Sequence, residues 1–193
     1  MEIYFSIACG VSAWYKCLLW KRYSPHRNKA NFPIDGNSLT KQPHNILILN
    51  GPNLNMLGVR EPDVYGFKNL SQIALECEEY ASELGCTIDF RQTNIEGEMV
   101  TIIQEAVANS GGSATVAGVI VNGGAYAHTS IALADALRIL EVPIIEVHIT
   151  NTYRREPYRH HSYIAETAQG VICGFGGHGY LLALDAMRAL LEE

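Results

Sequence analysis

From Asn45 onward the chain carries five short apolar runs: ILIL (46–49), TIDFRQ (87–92), AGVIVN (117–122), PIIEVHI (143–149) and GVICGF (170–175). Runs this short, bounded by turn residues and nearly continuous in apolar side chains, read as buried strands. The segments between them have another period. Leu70, Ile73, Ala74, Cys77, Tyr80, Ala81 and Leu84 keep helical spacing up to Gly85, a natural stop. Met99, Ile102, Ile103, Ala106 and Val107 repeat it before NSGGS. Ile131, Ala134, Leu137 and Ile139 or Leu140 repeat it after Thr129 and Ser130, either of which can cap a helix.

Strands that alternate with helices must be joined by crossovers, and strands apolar on both faces must be covered on both. The expected fold is therefore α/β, a flavodoxin-like doubly wound sandwich around a five-stranded parallel sheet. In such a sheet ligands bind beyond the carboxyl ends of the strands, and the polar residues gather there. The first strand empties into Asn50, Asn53, Arg60 and Tyr65. The third leads into NGGAYAHTS with Asn122 and His128. The fourth ends in Glu146 and His148, followed by ITNTYRREPYRHHSY, and the fifth leads into GFGGHGY.

Charge sharpens this picture. The net charge of −6 divides unevenly: residues 1–44 carry six Lys/Arg against two acids, and residues 45–193 carry eight against eighteen. A body at −10 is a poor nucleic-acid binder. Yet four of its eight cations, Arg60, Arg154, Arg155 and Arg159, fall in two strand-end loops, which suits an anionic ligand at that edge. Pairing of these arginines with surface acids is the alternative.

Several chemistries lack their residues. GFGGHG follows the last strand rather than the first, so tight helix entry suits it better than a dinucleotide. His128 and His148 are far apart in sequence, His160 and His161 are adjacent, and no H-E-x-x-H occurs, so no metal site is suggested. The only lysine of the body is Lys68, in a loop beside Gly66 and Phe67, which disfavours an imine. No G-x-S-x-G elbow is present, and Cys173 lies inside a strand. The five cysteines are odd in number and lack a C-x-x-C pair, as a reducing cytoplasm allows. What remains is acid/base work by tyrosine and histidine.

Residues 1–44 stand apart. MEIYFSIACGVSAWYKCLLW is apolar, but Glu2 precedes the run and Lys16 interrupts it, unlike a signal peptide or an anchor. The polar, aperiodic stretch that follows reads as a linker. A non-structural or mis-started extension, a flexible tail and a targeting segment all stay open for it.

ILNGPNLNMLGVREPDVYG, NGGAYAHTSIALADAL, PIIEVHITN, REPYRHHSY and GVICGFGGHGYLLAL together resemble type II 3-dehydroquinate dehydratase, over roughly residues 45 to 193. The resemblance implies a cytoplasmic lyase of the shikimate and quinate pathways. It would convert 3-dehydroquinate to 3-dehydroshikimate by anti elimination of water through an enolate, with no metal, cofactor or Schiff base. It also implies a homododecamer, a tetramer of trimers, with no nucleic-acid or membrane partner.

By motif, Tyr65 resembles the base that removes the C2 proton, with Arg60 as the cation that favours its phenolate. Asn53 resembles the group that steadies the enolate oxygen through a water. His148 resembles the acid that protonates the departing C1 hydroxyl, supported by Glu146. Asn122, His128, Ile149 through its backbone, Thr150 and Arg159 resemble contacts to the substrate carboxylate and hydroxyls. Arg155 resembles a loop arginine of the closed lid, and Asp135 an acid that reaches a neighbouring subunit's site. The loop from Asn50 to Gly66 is then expected to be a lid.

Two positions depart from the family pattern. Gly123 stands where Pro or Ala is usual, and Ala127 where Thr is frequent. The extra glycine is expected to loosen its loop and weaken substrate affinity. A flavodoxin-like binding module is the competing reading, but NGPN is neither the Ser/Thr/Gly-rich loop of a phosphate binder nor the acidic loop of a receiver.

Overall fold

Each apolar run contains a strand: β1 (His44–Asn50), β2 (Cys86–Gln92), β3 (Gly118–Asn122), β4 (Ile144–His148) and β5 (Gly170–Cys173). The structure is a computed structural model describing residues 43–59, 68–107 and 115–192. Residues 1–42, the loop residues Arg60 and Tyr65 with their neighbours, and the NSGGS segment lie outside the described residues. β1 begins one residue ahead of the pattern change at Asn45.

The strands are all parallel, in the order β2-β1-β3-β4-β5. This is the flavodoxin-like order expected from the alternation, with its reversal at β1 and β3. Four helices cover the sheet: α1 (Leu70–Glu83), α2 (Glu96–Ala106), α3 (Ile131–Arg138) and α4 (His178–Glu192). Because strand side chains alternate, each strand feeds both cores. Ile46, Ile48, Ile120, Ile145 and Val147 pack with Ile73 and Cys77 of α1 and with Tyr180, Leu184 and Met187 of α4. Leu47, Leu49, Val119, Val121 and Ile144 pack with Met99 and Ile103 of α2 and with Leu133 and Leu137 of α3. Each fully buried Leu or Ile contributes about 1.5–3 kcal/mol.

Local signals start the helices. Asn69 and Gln72 form a reciprocal capping box at α1: the Gln72 amide donates to Asn69 Oδ1 at 2.9 Å, and the Asn69 amide donates to Gln72 Oε1 at 3.0 Å. Of the two candidate caps before α3, Ser130 accepts from the Leu133 amide at 3.0 Å. GFGGHG is a tight helix entry: a Cβ on Gly177 would lie 2.9 Å from Ile73, so α4 starts close against α1.

Two expectations need correction. GVICGF is not a fully buried strand, for the strand stops at Cys173, and Val171 and Phe175 are 46% and 59% exposed. Its place at the end of the sheet leaves one side without a strand neighbour. Gly123 does not confer looseness. Its φ of −67° is open to any residue, but a Cβ would lie 2.6 Å from Ile164 Cδ1, so the missing side chain makes room for close packing.

Gly51 fills a tighter role still. It leaves β1 beside the exit of β3, donates to the Asn122 carbonyl at 2.8 Å, and would bring a Cβ to 2.5 Å from the Gly123 carbonyl oxygen. Backbone cannot yield as a side-chain tip does. Gly51→Ala is expected to cost about 1–3 kcal/mol, read from the urea unfolding midpoint.

Candidate active site

Three of the four strand ends that the sequence marked, those of β1, β3 and β4, line one pocket, whereas GFGGHGY after β5 supplies none of its lining residues. Among the lining residues are Asn53, Asn122, His128, His148, Ile149, Thr150, Arg155 and Arg159. Its first wall is the turn after β1. Asn53 sits in the left-handed region at φ 66°, the only non-glycine residue to do so among the described residues. Asparagine tolerates that conformation better than most. The strain is held by a tether: the Asn53 amide donates to Asn94 Oδ1 at 2.9 Å, and Gln92 Nε2 donates to the same oxygen at 3.1 Å. The Asn53 side chain caps nothing in the short 3-10 turn that follows, Leu54–Met56.

β4 supplies the titratable pair. Glu146 and His148 are two apart and leave the strand on one face. Glu146 is fully buried, and its Oε1 accepts from His148 Nε2 at 2.7 Å and from the Ser162 hydroxyl at 2.7 Å. Its Oε2 has no hydrogen-bond partner among the described residues. A carboxylate on Nε2 fixes that nitrogen as the N–H and leaves Nδ1 for other work. His128 stacks on His148, with ring centroids 5.7 Å apart and planes 10° from parallel. Its Nδ1 donates to the His161 carbonyl at 2.7 Å. Burial pushes the His128 imidazole below its ordinary pKa, opposed by that carbonyl and assisted by His148. It therefore stays neutral at pH 7, with Nε2 as an acceptor.

Part of the lining is cationic. Arg155 and Arg159 are mostly covered, and both approach Glu156, Arg159 Nε at 2.9 Å and Arg155 Nε at 3.5 Å. These arginines thus pair with an acid and also line the pocket. Arg154 is not among the lining residues. The backbone following β4 brings Ile149 and Thr150 into the same lining. Asp135 is elsewhere: it lies exposed on α3, paired with Arg138 at 2.7 Å.

Three residues of the site were not assigned from sequence. Asn94 orders the Asn53 turn and accepts from the Tyr126 hydroxyl at its carbonyl, 2.9 Å away. Ser162 bonds Glu146 from within RHHSY. Tyr180, fully buried on α4, lies between Asn50 and Asn122. No period or motif separates such side chains from ordinary loop and core residues. No group of three or more potential metal ligands occurs among the described residues, and no described helix is long and apolar enough to cross a membrane.

The pocket lies at the carboxyl ends of β1, β3 and β4 of a doubly wound, flavodoxin-like sheet, and His148, backed by the buried Glu146, lines it together with two arginines. Comparison with known proteins agrees with that fold. The model of the class II dehydroquinase family matches residues 44–188. The chain is 51% identical over 147 residues to the 3-dehydroquinate dehydratase 2 of Pseudomonas aeruginosa, covering 76% of this chain and 95% of that protein. It is 51% identical over 143 residues to the 3-dehydroquinate dehydratase of Rhizobium johnstonii, covering 74% and 94%. The crystal structure of the type II dehydroquinase of Butyrivibrio crossotus superposes with a TM-score of 0.72 at 38% identity, covering 76% of this chain and 99% of that one. The chain belongs to the class II dehydroquinase family.

Proposed function

We propose that this protein dehydrates 3-dehydroquinate to 3-dehydroshikimate by anti elimination through an enolate. The observation that carries this reading is His148, backed by the buried Glu146 and lining one pocket with Asn53, Asn122 and two arginines, in a chain of this family.

The substrate is a carboxylate, and Arg155 and Arg159 supply the positive wall that attracts it. Tyr65, with Arg60 favouring its phenolate, takes the C2 proton; both are assigned from the motif they share with the family. As the C2–H bond breaks, the carbonyl becomes an enolate. Asn53, its turn held by Asn94, steadies the developing charge through a water without reorganising. The enolate then re-forms the carbonyl, and the C1–O bond breaks. His148 donates the proton that turns the departing hydroxyl into water, while the Glu146 carboxylate holds the imidazolium beforehand. The product is a conjugated enone. Neutral His128, Asn122, Thr150 and the Ile149 backbone position the ring.

Two features concern the assembly and its setting. Asp135, exposed on α3 and not among the lining residues of its own pocket, serves a neighbouring protomer's site in a trimer-based dodecamer. The enzyme works in the cytoplasm, in aromatic biosynthesis or quinate breakdown. Light scattering checks the assembly, and a fully active monomer would remove the role of Asp135.

Mixing the purified protein with 3-dehydroquinate and following ultraviolet absorbance tests the reaction. Enone should form at a rate indifferent to chelator and to borohydride. No enone at any protein concentration would mean that the scaffold is kept without the reaction.

A further inference from the structure

Asn50 and Asn122 end neighbouring strands, are paired in register, and point to the α4 face of the sheet. Both are buried. Tyr180 joins them: its hydroxyl donates to Asn50 Oδ1 at 2.6 Å and accepts from Asn122 Nδ2 at 2.8 Å. The polarity of this chain is fixed at both ends by backbone. Asn50 Nδ2 donates to the Arg91 carbonyl at 3.0 Å, which turns Oδ1 toward the phenol. The single phenolic proton is spent on that oxygen, so the phenol can only accept from Asn122. Asn122 then presents Nδ2 to Tyr180 and Oδ1 to the Gly124 amide, 3.3 Å away. Burial pushes the Tyr180 phenol further above its ordinary pKa, so it keeps the proton that the relay needs.

We infer that Tyr180 is a positioning residue, which sets the orientation of the Asn122 carboxamide and so the donor and acceptor that Asn122 offers to the pocket. Tyr180 itself lies beneath the sheet, and neither it nor Asn50 is among the pocket's lining residues. Their effect on a ligand passes through Asn122, a lining residue held by hydrogen bonds on both sides of its amide.

The kinetic part of the test rests on the dehydratase reading; the spectroscopic part does not. Tyr180→Phe is expected to raise KM about 10-fold, with a smaller change in kcat, because the amide is free to flip and a buried donor and acceptor lose their partner. In an Asn122→Ala background the same change should move KM less than about 2-fold, since coupled residues are not additive. Asn50→Ala, outside the pocket, should also raise KM by releasing the phenolic proton toward Asn122. It carries the test if Tyr180→Phe does not fold. In 15N-labelled protein the Asn122 side-chain amide should show one proton protected from solvent exchange, and Tyr180→Phe should abolish that protection. An unchanged KM in Tyr180→Phe and Asn50→Ala, or an equal rise with and without Asn122, would overturn the assignment. So would an Asn122 amide indifferent to Tyr180→Phe, whether or not the wild type forms enone.

Discussion

His148→Asn is expected to lower kcat by about 10^3-fold, in the range lost when a positioned acid or base is removed. The fold should hold, because the Ser162 hydroxyl still donates to Glu146 Oε1 at 2.7 Å after the imidazole is removed. Its mechanistic content lies in which half of the reaction stops. Dehydration needs a proton for the departing hydroxyl, whereas loss of the C2 proton to a base does not. In heavy water, His148→Asn should still exchange the substrate's C2 proton for deuterium while forming little enone. Tyr65→Phe should abolish both. Loss of exchange and dehydration together in His148→Asn would place His148 at the first step and require another acid for the second.

The legible part of this protein is the part written in periods. β1, β3 and β4 are apolar on both faces, and the sheet order follows from the need to cover them. The carboxyl edge was legible too, because Asn122, His128, Glu146 and His148 interrupt apolar strands or immediately follow them, and a polar residue there is costly without a partner. β5 was misread as buried because a short apolar run does not state how many strand neighbours it has. Gly123 was misread because a missing Cβ serves freedom in one setting and close packing in another, and only Ile164 beside it decides. In the sequence Asn50 is only one of the polar residues at the end of the first strand, and Tyr180 has no assigned role. Their joint meaning is a contact across 130 positions of sequence, which no local pattern encodes. Ser162 and Asn94 were hidden for the same reason, since each supports a site residue from a loop remote in sequence.

Glu146→Gln should separate activity from stability. In the wild type a fully buried carboxylate has both of its donors, Ser162 and His148, on Oε1, while Oε2 has no hydrogen-bond partner among the described residues. A buried charge with an unpaired oxygen is expensive, and such sites persist where function requires them. Glutamine keeps an oxygen for both donors and puts a neutral amide where Oε2 stood. The thermal midpoint should therefore stay level or rise. The same change removes the anion that stabilises a protonated His148, so kcat should fall by about 10^2-fold. Glu146→Ala gives the contrast: it strands the Ser162 hydroxyl and the His148 N–H together, and should lower both kcat and the thermal midpoint. A parallel fall of kcat and thermal midpoint in Glu146→Gln would mean that the carboxylate is there to hold the strand end. A stable, inactive variant would mean that the protein keeps this strained carboxylate for the charge it places behind His148.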